Sequence, residues 1–328
     1  MNETCDLSVV VLSWNTKDLT LAALRAVPAA VAPRSVQVLC VDNASADGSA
    51  DAVEAELPSV LLIRNAGNLG FARGNNAALP HVRGRYVCFL NSDTEAAPGA
   101  LTYVVDYLDA HPDVGIACPR LVYPDGRRQR AAWRFVTAKA VLNRYTPFGW
   151  FGFAKADARR VRPERDAGEV ETTGPSEAVA GACLTIRRDL CDRLGGFDPG
   201  YPFYFEDVDL CWRAHREGVG VHVVVEGPPV VHHGGASSAL AKGATRLPLL
   251  IGILRFMRRT HSPLGARLFS ITFKVGVVVR SFWEIVRAPF YVVLRRLRGR
   301  HERAARTWQT ARDRVAFVRK DLWAFLRS

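Results

Sequence analysis

The sequence lacks several patterns that would have indicated particular classes of protein. None of its seven cysteines stands in a C-x-x-C pair, which argues against a zinc framework. Most of the cysteines lie within apolar runs, so we expect buried, reduced thiols in a cytosolic protein. The polar first six residues lead directly into a strand-like run, and no export signal is visible.

Two nucleotide-binding motifs are also missing. The turn after the first predicted strand does not contain G-x-G-x-x-G, which disfavours an oxidoreductase that uses a dinucleotide. The chain contains no G-x-x-x-x-G-K-[ST] either, which disfavours a P-loop nucleotide hydrolase.

Long uncharged apolar runs are absent, since no stretch reaches the roughly 18 residues expected of a membrane-spanning helix. The net charge of +12 is concentrated in residues 255–327, whereas acids outnumber bases in the first hundred residues. Helix-like stretches such as 268–297 combine aliphatic and aromatic residues with arginine. This pattern predicts amphipathic helices that lie on an anionic membrane surface, on the inner face of the cell membrane.

The basic tail has alternatives to a membrane partner. Nucleic acid is not expected, because long apolar residues interleave with the charges and no recognition motif accompanies them. A helical cap on the preceding domain with a solvated basic face, and a role in oligomerisation, remain alternatives.

Strand-like and helix-like stretches alternate four times in the first 110 residues. Such alternation predicts an α/β fold with a mostly parallel sheet, in which ligands bind at the carboxyl ends of the strands. The strand runs are 7–14, 36–41, 60–63 and 86–90, and the helical runs are 17–30, 47–57, 71–79 and 99–110.

Polar side chains follow each predicted strand. Asp42 could accept a hydrogen bond from the imide N–H of uracil or thymine, while the residues after it could cap the next helix. Segment 65–76 concentrates glycine, asparagine and Arg73 where a strand gives way to a helix, which suits a diphosphate or, alternatively, a simple turn. Asp93 is placed to hold Mg²⁺ or Mn²⁺ or, alternatively, to cap the helix expected near Pro98, and Thr94 and Glu95 are expected to begin that helix.

The densest group of acids lies in segment 203–213, at the start of a predicted helix and among aromatic residues. Acids at a helix N-terminus gain from the helix dipole, so simple electrostatic capping is one interpretation. Asp209 is expected to pair with Arg213 four residues later, which leaves Glu206 and Asp207 to be explained. A partly desolvated carboxylate of this kind can serve as a general base. His232 follows a later strand-like run and could add a ligand to a metal site, although a lone histidine is more often structural.

Taken in order, these motifs resemble the family 2 glycosyltransferases of the GT-A fold, particularly the bacterial rhamnosyltransferase-like group. The resemblance covers about residues 7 to 238, and the shared order of the motifs makes it more specific than any one of them. The matching pieces are 9–15, 41–45, 65–76, 90–93, 181–183, 205–210 and 231–233.

The resemblance implies a role for each matching residue. Asp207 would be the catalytic base, and Asp93 with His232 would hold the metal. Gly181, Ala182 and Glu206 would lie on the acceptor side. The family's D-x-D motif usually opens with Asp, whereas this chain has Asn91, which leaves one fewer charge for a metal. The nucleotide sugar would be bound by Ser13, Asn15, Asp42, Asn68, Gly70, Arg73, Asn76, Asn91 and Ser92.

The same resemblance implies the organisation and the reaction. A GT-A catalytic domain would span 1–240, with a nucleotide-sugar half to about 120 and an acceptor half from 121. Apart from the resemblance, the Arg, Gly and Pro content near 133–173 predicts an irregular, flexible insertion, and the charge pattern predicts a basic helical tail at 241–328. An inverting enzyme would move a sugar from dTDP-rhamnose or a UDP-sugar to a hydroxyl of a glycan or lipid-linked acceptor in cell-surface polysaccharide synthesis. A catalytically idle module that binds membrane or glycan is the alternative.

Overall fold

The computed structural model describes residues 5–151, 172–234 and 246–328. The chain divides into two compact units, one formed by Met1–Phe135 with Pro163–Leu240 and the other by Val136–Arg162 with Ala241–Ser328. Much of the insertion predicted near 133–173 lies outside the described residues. The domain limits expected from the sequence stay a prediction.

The described residues of the first unit form three sheets. The strands are β1 (Leu7–Ser13), β2 (Val36–Asp42), β3 (Leu61–Arg64), β4 (Tyr86–Asn91), β5 (Thr94–Ala96), β6 (Val114–Pro119), β7 (Leu121–Val122), β8 (Arg128–Gln129), β9 (Ala132–Trp133), β10 (Gly174–Pro175), β11 (Ala178–Val179), β12 (Cys183–Arg187), β13 (Gly220–Val224) and β14 (Val230–His232). The helices of this unit are α1 (Lys17–Val31), α2 (Ser49–Glu56), α3 (Gly70–Asn76), α4 (Ala100–Ala110), α6 (Arg188–Leu194) and α7 (Glu206–Arg216).

The central sheet has eight strands in the order β10-β13-β6-β12-β4-β1-β2-β3. Strands β3, β2, β1 and β4 are mutually parallel, and β12 runs antiparallel to both β4 and β6. The predicted mainly parallel sheet flanked by helices is therefore confirmed. The other two sheets are a four-stranded sheet, β5-β14-β7-β8, and the two-stranded sheet β11-β9.

The core of the first unit follows from apolar strands with both faces covered. Val9, Val10 and Val11 of β1 are completely buried, because β1 lies between β2 and β4 and helices cover the sheet. Helix α1 packs on β1 with Leu24 and Val27, which recur at helical spacing. Six of the seven cysteines are buried free thiols, and the seventh is half-buried.

Two segments differ from the sequence-based expectation. Thr94 and Glu95 do not begin a helix but form β5, which pairs antiparallel with β14, and α4 begins only at Ala100 after Gly99. Within the stretch expected to be irregular, Ala138–Tyr145 form helix α5, whose first turn is capped by Thr137. The Thr137 hydroxyl accepts a hydrogen bond from the N–H of Ala140 at 3.2 Å.

The second unit is helical. With α5 it contains α8 (Arg246–Thr260), α9 (Pro263–Leu297), α10 (His301–Lys320) and α11 (Leu322–Arg327). Glu284 of α9 accepts hydrogen bonds from Arg280 Nε at 2.9 Å and from Nε of Arg314 in α10 at 2.6 Å. Burial would raise the pKa of Glu284, but the two guanidinium groups outweigh it and lower that pKa. Among the described helices, none has both the length and the hydropathy to cross a membrane.

Candidate active site

The carboxyl ends of the parallel strands lie side by side. Ser13 is opposite Asp42 in the pairing of β1 with β2, and Leu12 is opposite Asn91 in the pairing of β1 with β4. The N–H of Asn91 donates to the carbonyl of Ala182 at 2.9 Å, just before β12 begins. The sheet therefore brings together polar residues that are far apart in the sequence, as the strand-end argument predicts.

Two of the predicted donor-binding hydroxyls belong to one buried chain of hydrogen bonds. Ser13 Oγ is 2.9 Å from Thr20 Oγ1, which is 3.1 Å from Thr16 Oγ1. Thr16 Oγ1 is in turn 2.9 Å from Ser92 Oγ. This chain ties the turn after β1 to the turn after β4, and sequence reasoning did not single out either threonine.

Asn15 joins the turn after β1 to the turn after β2. Its N–H donates to Ser45 Oγ at 2.9 Å, and its side-chain oxygen accepts from the N–H of Ala46 at 2.7 Å. Asn15 adopts a left-handed backbone conformation with φ 52°, which asparagine tolerates better than most residues. Its side chain thus holds the loop that follows Asp42.

Asp42 has one carboxylate oxygen in use and one without a partner. Oδ2 accepts the N–H of Ser45 at 3.0 Å, whereas Oδ1 is buried and has no hydrogen-bond partner among the described residues. The side chain is only 4% exposed. Because buried polar atoms are almost always hydrogen-bonded, Oδ1 is an acceptor suited to an N–H group of a bound molecule.

The glycine-rich loop after β3 is held by Asn43, a residue that sequence reasoning considered only as part of a helix cap. Asn43 Nδ2 donates to the Asn68 side chain at 3.3 Å and to the Gly70 carbonyl at 3.1 Å. Its Oδ1 accepts from Asn65 at 2.9 Å. Asn68 in turn accepts the N–H of Gly70 at 2.9 Å, and Gly70 has φ +78°, a conformation that favours glycine.

Arg73 and Asn76 of α3 contact the segment that precedes α7. The exposed Arg73 donates through Nε to the carbonyl of Pro199 at 3.3 Å. Asn76 uses both ends of its amide on Phe197, donating to the carbonyl at 2.7 Å and accepting from the N–H at 3.0 Å. Asn76 therefore fastens α3 to this segment in the structure.

Asp93 and His232 meet because β5 pairs with β14. Thr94 lies opposite His232 in that pairing, and His232 Nε2 is 3.4 Å from Asp93 Oδ1. His232 Nδ1 is 2.9 Å from Oε1 of Gln129, and a ring that donates from Nδ1 to this oxygen leaves Nε2 unprotonated in its neutral form. In the neutral ring, Nε2 then presents its lone pair beside the Asp93 carboxylate.

The pair of Asp93 and His232 could supply two ligands to a divalent ion. Within the described ranges, no cluster of three or more His, Cys, Asp or Glu side chains has a geometry for metal binding. Mg²⁺ is commonly held by one or two carboxylates, substrate phosphates and water, so two protein ligands fit an ion that shares its shell with a diphosphate. Gln129 orients the histidine in the way that partners of metal-binding histidines do.

Asp207 lies in the first turn of α7 and is half-buried. Its Oδ2 accepts the N–H of Gly181 at 3.0 Å, and its Oδ1 accepts the N–H of Val208 at 2.8 Å. A Cβ at position 181 would lie 3.3 Å from the Asp207 Cβ, so glycine makes room for this carboxylate. Gly181 directly precedes Ala182, which links Asp207 to Asn91 at the strand ends.

Glu206 and Asp207 differ in their environments. Burial, and then the charge of Asp207, raise the pKa of Glu206 well above its ordinary value. Glu206 Oε2 also has no hydrogen-bond partner in the described part of the chain. Burial likewise raises the pKa of Asp207, but the N–H groups of Gly181 and Val208 favour its ionised form. Burial thus raises the pKa of both carboxyl groups, and of the two only Asp207 has backbone N–H groups that favour its ionised form.

Strained backbone precedes this pair. Tyr204 and Phe205 have φ values of 68° and 74°. Holding a residue other than glycine at positive φ costs about 1–3 kcal/mol of conformational free energy. The predicted pair of Asp209 with Arg213 is confirmed at 2.7 Å, and Tyr201 donates to Asp209 at 3.0 Å. These contacts of a completely buried carboxylate hold α7 in place.

Comparisons with known proteins agree with this geometry. The family described as glycosyl transferase family 2 matches residues 8–195. The N-acetylglucosaminyl-diphospho-decaprenol L-rhamnosyltransferase of Mycobacterium tuberculosis is 30% identical over 216 residues, 61% of this chain and 67% of that protein. The O-antigen biosynthesis protein RfbC of Myxococcus xanthus is 30% identical over 168 residues, 50% of this chain and 12% of that protein.

Solved structures show the same fold. The mannosyltransferase PcManGT of Pyrobaculum calidifontis, in complex with GDP-Man and Mn²⁺, aligns with a TM-score of 0.58 at 18% identity over 98% of this chain and 88% of that one. TarS of S. aureus aligns with a TM-score of 0.54 at 14% identity over 84% and 72% of the two chains. The predicted GT-A fold is confirmed.

Proposed function

The chain belongs to glycosyltransferase family 2, and from this premise we propose that it is an inverting enzyme with Asp207 as its base. The observation that carries the proposal is the division of roles between two neighbouring carboxyl groups. Asp207 accepts hydrogen bonds from two N–H groups that favour its charge, whereas Glu206 is buried and its Oε2 has no partner among the residues that the structure describes. Asp207 is thus the carboxylate whose hydrogen bonds favour the ionised form, and a single-displacement mechanism requires one such base.

The reaction would proceed in one step. Asp207 takes the proton of an acceptor hydroxyl while the oxygen forms a bond to the anomeric carbon of the donor. The bond between that carbon and the diphosphate breaks, and its electron pair leaves with the nucleoside diphosphate. Attack from the face opposite to the leaving group inverts the anomeric configuration. Gly181 and Val208 hold the carboxylate in place during the transfer.

The donor would be held along the strand ends. Asp42 Oδ1 would accept the imide N–H of uracil or thymine, and the loop braced by Asn43 would lie along the diphosphate. Arg73 would contribute positive charge near the leaving group. Asn15, Ser13, Ser92 and Asn76 would act by holding these loops, because their polar atoms are engaged inside the protein.

Asp93 and His232 would hold Mg²⁺ or Mn²⁺, with Gln129 orienting the histidine. A bound divalent ion would supply positive charge to the departing diphosphate. This assignment is supported by the two ligand types, a carboxylate and an imidazole, and by PcManGT, whose structure contains Mn²⁺.

The substrates are proposed from the relatives. The Mycobacterium tuberculosis protein is named as an L-rhamnosyltransferase of N-acetylglucosaminyl-diphospho-decaprenol, and RfbC is named for O-antigen biosynthesis. We propose dTDP-rhamnose as the preferred candidate donor and UDP-sugars as the second choice. The proposed acceptor is a lipid-linked glycan of cell-surface polysaccharide synthesis. Such an acceptor places the enzyme in the cytoplasm at the inner face of the cell membrane.

The test is release of nucleoside diphosphate from a panel of dTDP-rhamnose, UDP-glucose, UDP-galactose and UDP-N-acetylglucosamine, each with Mg²⁺ or Mn²⁺. We expect one donor to give release that depends on a polyprenyl-diphosphate-linked N-acetylglucosamine acceptor, and the product to have inverted anomeric configuration by NMR. A retained configuration would contradict the role of Asp207. Donor binding without any release across acceptors would favour the idle glycan-binding module.

A further inference from the structure

The outward face of α9 carries a long line of exposed apolar side chains. All ten are large, and each is at least 49% exposed. We call this line the outer stripe. It comprises Leu264, Leu268, Ile271, Val275, Val279, Phe282, Val286, Phe290, Val293 and Leu297.

The stripe has a regular period. Its members are separated by four, three and four residues in turn, so that Leu264, Val275, Val286 and Leu297 lie eleven residues apart. Eleven residues in three turns give about 3.67 residues per turn, close to that of an unstrained α-helix, so the stripe runs nearly straight. At about 1.5 Å per residue it is about 50 Å long.

The stripe is not the core face of α9. Phe273 and Val277 are buried on the other side of the helix, where Phe273 contacts Tyr145 and Phe325 of the same unit. The helix is therefore apolar on two opposite faces, and only one of them is used for packing within its unit. Scattered exposed apolar residues are ordinary, but a continuous line of ten marks an interaction surface.

The charge around the stripe selects the partner. Residues 246–328 contain 19 Lys and Arg and four Asp and Glu, whereas the remainder of the chain is slightly acidic. The exposed charged residues along α9 itself are Arg267 and Arg296. Parallel pairing of two α9 helices would place each arginine beside its own copy, and antiparallel pairing would place Arg267 beside Arg296. Self-association is thus opposed by charge, whereas an anionic surface is favoured.

Exposed aromatic residues fit the same partner. Trp283, Trp308 and Trp323 are 49%, 42% and 72% exposed, and tryptophan is enriched at the boundary between lipid headgroups and hydrocarbon. Because the stripe is longer than the roughly 30 Å hydrocarbon thickness of a bilayer, it fits the plane of the membrane better than its normal.

We propose that the outer stripe of α9 docks in the plane of an anionic phospholipid leaflet, with the arginines of the unit at the level of the phosphates. The inference deepens the proposed function and rests on it only for the lipid-linked acceptor. The stripe and the charge that carry it belong to the second unit, and none of the proposed site residues contributes to them.

The test is vesicle flotation of the full chain with phosphatidylglycerol–phosphatidylcholine vesicles and with phosphatidylcholine alone. In the stripe variant, Ile271→Gln, Val279→Gln, Phe282→Gln and Phe290→Gln are combined. The matched control combines Leu61→Gln and Tyr103→Gln, which are exposed apolar residues of the first unit. All six side chains are solvent-exposed, and circular dichroism will confirm that both variants fold.

We expect the wild type and the control to float with the anionic vesicles, and the stripe variant to bind them ~100-fold more weakly or worse. Failure of the wild type to float, or equal binding by the stripe variant, would overturn the proposal. So would light scattering that shows a wild-type dimer which the stripe substitutions dissociate, since the occupant would then be a second copy. Duplex DNA that binds the wild type in place of vesicles would also overturn it.

Failure of the proposed function gives a different result. Release of nucleoside diphosphate, measured without vesicles on a water-soluble acceptor, should be the same in the wild type and in the stripe variant. If the wild type floats normally but releases no nucleoside diphosphate, the enzymatic proposal fails and the docking surface stands.

Discussion

Substitution of Asp42 by Asn tests how the chain holds a nucleobase. The change preserves the size of the side chain and leaves an oxygen that can still accept the N–H of Ser45, as Oδ2 does now at 3.0 Å. It replaces the buried Oδ1, which has no partner within the described part of the chain, by an amide NH₂ group. An imide N–H would then face a donor in place of an acceptor.

The size of the effect follows from the bond that is lost. A hydrogen bond to a charged group contributes about 1.5–3 kcal/mol, which corresponds to a change of about 10- to 150-fold in the dissociation constant. Because Asp42 is 4% exposed, water is poorly placed to replace the missing partner. We therefore expect the upper part of this range for UDP or dTDP.

Isothermal titration calorimetry with UDP, dTDP and CDP measures the effect. Cytosine presents an acceptor where uracil presents its imide N–H, so CDP should bind the Asp42→Asn variant no more weakly than it binds the wild type. Asp51→Asn, the same change at an exposed residue of α2, serves as the control and should leave all three affinities unchanged. Equal UDP affinity in the wild type and Asp42→Asn would refute the nucleobase assignment.

Two further variants test the metal pair and the acidic pair. Gln129→Leu should lower Mn²⁺ affinity about 10- to 100-fold in calorimetry with UDP present, because His232 loses its orienting partner. The control Gln309→Leu, at the surface, should leave the Mn²⁺ affinity unchanged. Equal Mn²⁺ affinity in the wild type and Gln129→Leu would show that Gln129 does not support the metal site. Because the pKa of Glu206 is raised in the native state, that state retains a proton which the unfolded chain releases above pH 4.5. The stability of the wild type therefore falls as the pH rises from 4.5 towards the pKa that Glu206 has in the folded protein. Urea unfolding should show Glu206→Gln gaining stability over the wild type across that window, with Glu226→Gln as the exposed control, and a difference independent of pH would contradict the assignment.

The strand-end part of the site was predictable from the sequence. Ser13, Asp42 and Asn91 each end a strand of a parallel sheet, and carboxyl ends of parallel strands share one edge whatever the rest of the fold does. The pair of Asp209 and Arg213 was predictable as well, since it needs only helical spacing.

Contacts that depend on distant pairing were harder to derive. The sequence shows acids after β4 and then Pro98, which together indicate the start of a helix, but pairing with β14 makes Thr94–Ala96 a strand. That pairing is what brings His232 to Asp93. Gln129 had no signal at all, because its role depends on the register of three short strands, β8, β7 and β14.

The conformation before α7 could not be predicted for a different reason. Tyr204 and Phe205 are residues that avoid positive φ, so propensity argues against the backbone they adopt. Their strain is held by the surrounding contacts, among them the buried bonds of Asp209 to Tyr201 and Arg213. Local rules fail here at the residues that present Glu206 and Asp207 to the site.

The variant Asp207→Asn tests the central claim most directly. Asparagine can still accept the N–H of Gly181 but cannot take a proton, so donor affinity should stay within about twofold while the rate of transfer falls about 10²- to 10⁴-fold. Donor binding by calorimetry and single-turnover transfer on the same preparation separate the two effects. Retained donor binding with transfer lost would support Asp207 as the base of an inverting transferase, and transfer at the wild-type rate would contradict it.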